Sequence, residues 1–377
     1  MAPPAIARGA EVRTYPAAPA AVVPAPVEQP NAPTLLPKAA AALVVPAPAV
    51  PSPAAMRENG SIGLVLPLQS TSYGRAAEAV RDGFLAAARA AHRESGVHVF
   101  GHGDDGVLPA IDEAARRGAS LIVGPLVRDD VKAAIALDIS GERFLVLNHL
   151  DDGAPLPSNV YALSLAIESD AAQLARVASE DGVHALASVT NDSPLQRRFH
   201  DAFAALWAKE STLALRDYRF SASPDMLQLL RHELAARGVD GVLLAVDGAD
   251  AISAKAFLPQ VPVYASSQMV DDQPALTARE LDNVRYIEIP WLATPDRTTF
   301  GGIARPAFAS NVLARLYALG IDAFGVAELL AEGGAPQQLD YDGATGHLSL
   351  LPSHLFAREG EPMIIRDGVA VPYVPGR

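Results

Sequence analysis

"ASLIVGPLVRDDVKAA", residues Ala119 to Ala134, decides how the chain is read. A short unbroken apolar run meets a Gly-Pro break at Gly124-Pro125, and the residues after the break read as the start of a helix. Strands covered on both faces give such runs, and they belong to parallel sheets. The same cycle lies on either side. Upstream, "SIGLVLPL" is a strand ending at Pro67, and a helix comes next with Ala77, Val80, Phe84 and Ala88 at helical spacing. "VHVF" (97–100) is the next strand and Leu108 to Arg117 the next helix. Downstream, "RFLVLN" (143–148) and "NVYALSL" (159–165) complete a first set. The cycle restarts with "VHALASVT" (183–190), a helix striped by Leu195, Phe199, Phe203 and Leu206, then "LRDYRF", a helix over 225–237, "GVLLAV" and "VPVYASS".

Two windings of one pattern predict an α/β fold of two doubly wound parallel-sheet lobes joined by a hinge. Beyond "VRYIEIPW", a helix carrying Val312, Leu313, Leu316 and Leu319 precedes a Gly-rich β segment from Leu339 to Val374. That change of pattern predicts more than one crossing between lobes. The expected division is a Pro/Ala-rich tether over 1–59, a first lobe of 60–165 plus about 288–335, and a second of 166–287 plus about 336–377.

Composition narrows the function classes. Half of the 377 residues are apolar, enough for two cores, and the net charge is −13. Binding along a phosphate backbone needs the opposite sign, so nucleic acid is not an expected partner. Cysteine is absent, which removes disulfides, thiolate metal sites, cysteine nucleophiles and a lipid-modified cysteine from the chain as written. The opening "TYPAAPAAVVPAPVEQPNAPTLLPKAAAALVVPAPAVPSPAA" favours extended, polyproline-like states, with a reach on the order of 150 Å at about 3 Å per residue. Its most apolar piece, Ala39 to Val45, is cut short by Pro46, whereas a membrane span needs roughly 20 apolar residues. Met1-Ala-Pro-Pro is not a secretion leader, so either the chain is cytoplasmic or a leader lies upstream of it.

The chemistry-bearing motifs are few. "GHGDDG" (101–106) satisfies the dinucleotide-loop spacing, but Asp104 and Asp105 would repel a pyrophosphate, and helix capping is the better reading. No G-x-S-x-G occurs. His98 and His102 fall in a strand and its loop, His232-Glu233 lacks the rest of a zinc helix, and surface or capping roles are expected for the histidines. Asp151-Asp152 and Asp271-Asp272 sit among Gly and Pro, where solvated turns are expected. No enzyme activity, cofactor or metal is therefore predicted.

What remains is geometry. Ligands of open α/β sheets sit beyond the carboxyl ends of the strands. Those ends carry Gln69, Ser70, Thr71, Tyr73, Asp104, Leu126, Arg128, Asn148 and His149 in the first winding. In the second they carry Asn191, Ser193, Asp247, Ser266, Ser267 and Gln268. A polar cleft between two such walls is expected, although helix capping would explain many of these residues equally well.

Longer stretches carry a resemblance. "GLVLPLQSTSYGRAAEAVRDGFLAA" and "GASLIVGPLVRDDV" resemble the first lobe of type 1 periplasmic binding proteins. With "PLQRRFHDAFAALW", "YASS", "LARLYALGIDA" and "GATGHLSL", the chain is similar to the LppC/LpoA family of penicillin-binding protein activators, over about 61–374. The resemblance implies a non-catalytic outer-membrane lipoprotein facing the periplasm. Its implied role is to bind a class A penicillin-binding protein, a bifunctional peptidoglycan synthase, and stimulate its cross-linking; peptidoglycan fragments are a second conceivable partner. Two features depart from the family: the helical-repeat domain of its longer members has no counterpart here, and neither has the lipobox cysteine. The alternative is a periplasmic solute receptor for a small polar ligand, an amino acid or cell-wall fragment. In amino-acid receptors of this superfamily, small hydroxyl residues after the Gly-Pro hold the ligand carboxylate, and Leu126 and Val127 cannot.

Overall fold

The computed structural model describes residues 61–136, 142–150, 155–211, 214–271, 279–297, 300–332 and 338–376. The Pro/Ala segment and Asp151, Asp152 and Asp272 lie outside them.

The first sheet is built from β1 (Ser61–Leu66), β2 (Val97–Gly101), β3 (Ala119–Val123), β4 (Arg143–Val146) and β5 (Val160–Ala162). All pairings are parallel, in the order β2-β1-β3-β4-β5. Helices α1 (Gly74–Ala90), α2 (Leu108–Arg116) and α3 (Arg128–Ala136) make the connections. Burial of β1 from Ile62 onward explains why its sequence does not alternate.

The second sheet repeats that order. It holds β6 (Leu186–Thr190), β7 (Arg216–Arg219), β8 (Gly241–Ala245), β9 (Val263–Ala265) and β10 (Val284–Glu288), arranged β7-β6-β8-β9-β10. Its helices are α4 (Ile167–Glu180), α5 (Pro194–Glu210), α6 (Pro224–Ala236) and α7 (Gly248–Lys255). After β10 come a short helix α8 (Pro290–Ala293) and the long helix α9 (Asn311–Glu332). A three-stranded antiparallel sheet comes next, of β11 (Asp340–Asp342), β12 (His347–Leu350) and β13 (Phe356–Glu359). Finally β14 (Glu361–Arg366) and β15 (Val369–Pro372) extend the second sheet past β10, antiparallel.

Helix α9 returns to the first sheet. Tyr317, Leu319, Ile321 and Phe324 share one core with Leu64, Leu66, Val80 and Phe84. The contact is close because glycines meet backbone: a Cβ on Gly83 would stand 1.9 Å from the Tyr317 carbonyl oxygen, and one on Gly320 2.0 Å from that of Val80. Phe84 and Phe324 then pack edge to face, 5.4 Å between centroids.

The C-terminal segment divides differently from the expected boundary near 336. Leu339, Ala344, Leu348, Leu350 and Phe356 join the core of the first sheet, because the small sheet lays its apolar face beneath α9 and abuts β5. Met363 and Ile365 belong to the second core. The chain therefore passes between the two sheets three times: from β5 to α4, from β10 to α8, and from β13 to β14.

Candidate functional site

Between the two sheets lies a cavity of about 660 Å³. The residues that follow the Gly124-Pro125 turn form part of its wall. Gly124 has φ +105°, and an added Cβ would stand 2.0 Å from the Val65 carbonyl oxygen, so only glycine fits where β3 leaves the sheet. The next peptide is cis, and the Pro125 carbonyl accepts from Leu147 N at 2.9 Å. Leu126 and Val127 then face the cavity with apolar side chains.

Of the residues singled out at the strand ends, Tyr73, Leu126, Arg128, Asn148, His149, Ser267 and Gln268 line this cavity. The others have different placements. Gln69 lines a separate hollow beside His102. The Ser70 hydroxyl accepts from the backbone N–H of Ser72 and Tyr73, turning the chain into α1. Asp104 accepts from the Thr71 hydroxyl at 3.0 Å and backbone at 3.4 Å, and its hydrogen bonds to Ser70 and Thr71 hold its carboxyl below the ordinary value. That corrects the capping expectation for "GHGDDG": α2 starts after Val107 with no side-chain cap. Asn191 donates to Asp247 and Asp250 and accepts from Ser193 N. Ser266 is buried against Gln196, at 3.2 Å.

Apolar side chains share the lining with polar groups, several of which bond to neighbours in the chain. Leu147, Leu165, Ile167, Leu195, Ile287, Ile289, Leu316 and Leu319 contribute to its surface. The Asn148 amide donates to the Leu126 carbonyl at 3.0 Å, and its oxygen accepts from His149 N and, at 3.4 Å, from Arg128. Arg128 is half-buried. His149 Nδ1 lies 3.2 Å from the Ser164 hydroxyl, and Arg198 pairs with Glu168 at 2.6 Å.

At the base lies a network that reading the sequence missed. Arg315, on α9, donates through Nε and Nη2 to Glu288 at 2.9 and 2.6 Å, and through Nη1 and Nη2 to Asp271 at 2.6 and 3.0 Å. All three side chains are nearly buried, which overturns the solvated-turn expectation for Asp271. Glu288 also accepts from Ile289 N, and Asp271 from Asn311. Beside them Arg358 pairs with Asp170 and donates to the Thr345 carbonyl. Burial raises the Asp170 carboxyl above its ordinary value, and Arg358 only partly offsets that. Thr345 in turn donates, through backbone and hydroxyl, to Asp322. Burial pushes the Asp322 carboxyl up to about 6 despite those donors and Ala344 N. The available signal was a charge isolated in an apolar run: Glu288 in "VRYIEIP", Arg315 and Asp322 in "NVLARLYALGIDAF". Such a charge must be paired wherever the run is buried.

A Ser-His-Asp trio occurs elsewhere, in the second lobe. Ser188 donates to Asp217 at 2.6 Å, and His200 lies 3.0 Å from the same oxygen with Asp201 on its other nitrogen. The serine bonds the carboxylate and not the imidazole, so this trio lacks the nucleophile–base contact of acyl transfer. It also shows that His200 is a buried structural group rather than a surface or capping histidine. Among the described residues no group of three or more His, Cys, Asp or Glu side chains could hold a metal ion. No helix among them is long and apolar enough to cross a membrane.

Comparison with known proteins places this geometry. The model of the family described as "LppC putative lipoprotein" matches residues 34–230 and 227–360. The chain is 24% identical over 266 residues to the penicillin-binding protein activator LpoA of Haemophilus ducreyi, covering 68% of this chain and 45% of that protein. It is 24% identical over 299 residues to LpoA of Histophilus somni strain 129Pt, covering 78% and 51%. The chain thus spans about half the length of the curated relatives it matches. Among solved structures, the LpoA C-domain from Haemophilus influenzae, a regulator of PBP1A, superposes with TM-score 0.71 at 22% identity, over 84% of this chain and all of that one. A "putative branched-chain amino acid ABC transporter" from Chromobacterium violaceum superposes with TM-score 0.71 at 32% identity, over 81% of this chain and all of that one.

Proposed function

The chain belongs to the LppC family, and from that membership we propose that it is a non-catalytic regulator of peptidoglycan synthesis that binds and stimulates a class A penicillin-binding protein. The likeness to proteins named penicillin-binding protein activator carries this reading. The chemistry of the cleft supports it: Asn148, His149, Arg198 and Arg315 already bond to neighbours in the chain, so these walls offer another protein a shape more than they offer a solute hydrogen-bonding partners. A location facing the periplasm, at the outer membrane, belongs to the same reading. The test is capture of the organism's class A synthase by the purified chain at micromolar concentration, together with a peptidoglycan cross-linking assay. Capture with faster cross-linking is expected; the absence of both capture and stimulation would overturn the proposal.

A second reading is favoured by two observations. The transporter-like structure is 32% identical, and the cavity has apolar walls with Tyr73 and Val312 exposed in it. A solute receptor for a small apolar amino acid would be stabilised by its ligand through mass action, by about 2.7 kcal/mol at a hundredfold excess over Kd. A thermal-shift panel including leucine and muropeptides separates the two readings, since the regulator predicts no shift with leucine.

A further inference from the structure

The three passages between the sheets each carry a charged residue into one buried network. Asp170 lies in the first turn of α4, just after the first passage. Glu288 is the last residue of β10, at the second. Arg358 lies one residue short of the end of β13, at the third. Arg315 and Asp271 complete the set: Arg315 stands on α9, which packs with the first sheet, while both carboxylates it grips belong to the second. Arg358, whose strand packs with the first core, grips Asp170 on a helix of the second.

The passages are also packed on one another. The Gln173 side chain on α4 brackets Gly360, donating to its carbonyl at 2.8 Å and accepting from its N–H at 2.9 Å. A Cβ at Gly360 would stand 2.6 Å from an Ile287 methyl and 2.8 Å from the Glu288 carbonyl oxygen, so the third passage lies directly against the second. Arg176 and Glu359 pair at 2.9 Å beside them.

We propose that this network is a clamp that fixes the angle between the lobes, so that the molecule presents a cleft of constant width instead of closing on a ligand. Hinged closure needs a few residues at the passages to change their backbone angles freely. Here a rotation of one lobe against the other withdraws Arg315 from Asp271 and Glu288, and Arg358 from Asp170. Buried charges left without partners oppose that movement strongly. Their near-complete burial also shields the clamp from salt, unlike pairs at a surface.

The absence of cysteine allows the width to be measured directly in the full chain. Spin labels at Lys132→Cys on α3 and Arg197→Cys on α5, both exposed, report the distance across the cleft by double electron–electron resonance. The expected result is one narrow population, unchanged by millimolar leucine or by 1 M salt. Two populations, or a shift with leucine, overturn the proposal. In the variant Asp271→Asn, Glu288→Gln, Arg315→Met, the Arg315 site keeps no charge without a partner, and the spread of the distance distribution is expected at least to double while circular dichroism stays that of wild type. A folded variant with the wild-type distance distribution also overturns it. If this variant does not fold, Asp170→Asn with Arg358→Met is measured in its place under the same criteria. The measurement involves no synthase, so its failure is distinct from failure of the proposed function.

Discussion

At the scale of single residues, two buried groups make the sharpest predictions. Arg315 pairs with two facing carboxylates, Asp271 and Glu288. Removing one partner of a buried ionic set leaves uncompensated charge, at a cost of about 3–5 kcal/mol. Arg315→Met alone is therefore expected to lower the unfolding free energy in urea by about that much, and Asp271→Asn with Glu288→Gln added should restore part of it. His200 makes a prediction in pH. Burial opposes its charged form, but hydrogen bonds to Asp217 and then Asp201 outweigh that and raise its pKa above the ordinary 6.5. The native state thus holds this proton more tightly than the unfolded chain. The stability it contributes is complete below pH 6.5 and is lost as the pH rises through the raised native value. The stability difference between wild type and His200→Gln, followed by denaturant unfolding, is expected to shrink as the pH is raised from 6 to 8; a constant difference would contradict the pairing. Neither group stood out as a sequence feature. Asp271 reads as a turn residue, and its partner lies 44 positions away.

At the scale of elements, the crossing of α1 and α9 sets how closely the first core can pack. Their apolar periodicity is visible in the sequence, through Val80 and Phe84 on one helix and Leu316 and Leu319 on the other. What periodicity does not convey is that Gly83 and Gly320 are contact points. In a lone helix each would merely cost about 1 kcal/mol against alanine. Here Gly320→Ala gains helix propensity yet drives a methyl group to 2.0 Å from a carbonyl oxygen, which the two helices relieve only by separating. Overpacking of this kind costs about 1–3 kcal/mol or more. Gly320→Ala should therefore destabilise, measured by chemical denaturation, whereas Gly96→Ala, with open space around the added Cβ, should not. The small third sheet gives the same lesson. Its strands are legible from "LDYDGATGHLSL", but its docking beneath α9 depends on Asp322 receiving the backbone N–H groups of Ala344 and Thr345.

At the scale of the whole molecule, the repeated winding and the shared ionic base predict cooperative unfolding. Scanning calorimetry of the intact chain should show one transition, because neither lobe can move away without unpairing buried charge. The variant Asp271→Asn, Glu288→Gln, Arg315→Met should show two, as the lobes retain separate cores but lose most of their ionic coupling. A single transition in that variant would assign the coupling to the packed passages and the remaining Arg358–Asp170 pair. The sequence by itself determined the two windings of strand and helix, the C-terminal change to antiparallel strands, the unusual Gly-Pro turn with Leu126 and Val127 after it, and the family resemblance. All of these are written in local periodicity and in short motifs, which depend on neighbours a few positions apart. Only the tertiary structure decided that the C-terminal segment splits between the lobes at Gly360, that a minority of the strand-end polar residues face one cavity, and that its base is ionic. Arg358 and Asp170 are 188 positions apart, and Arg315 and Glu288 are 27. Which buried charge finds which partner is set by how the sheets pack, a quantity that no local pattern encodes.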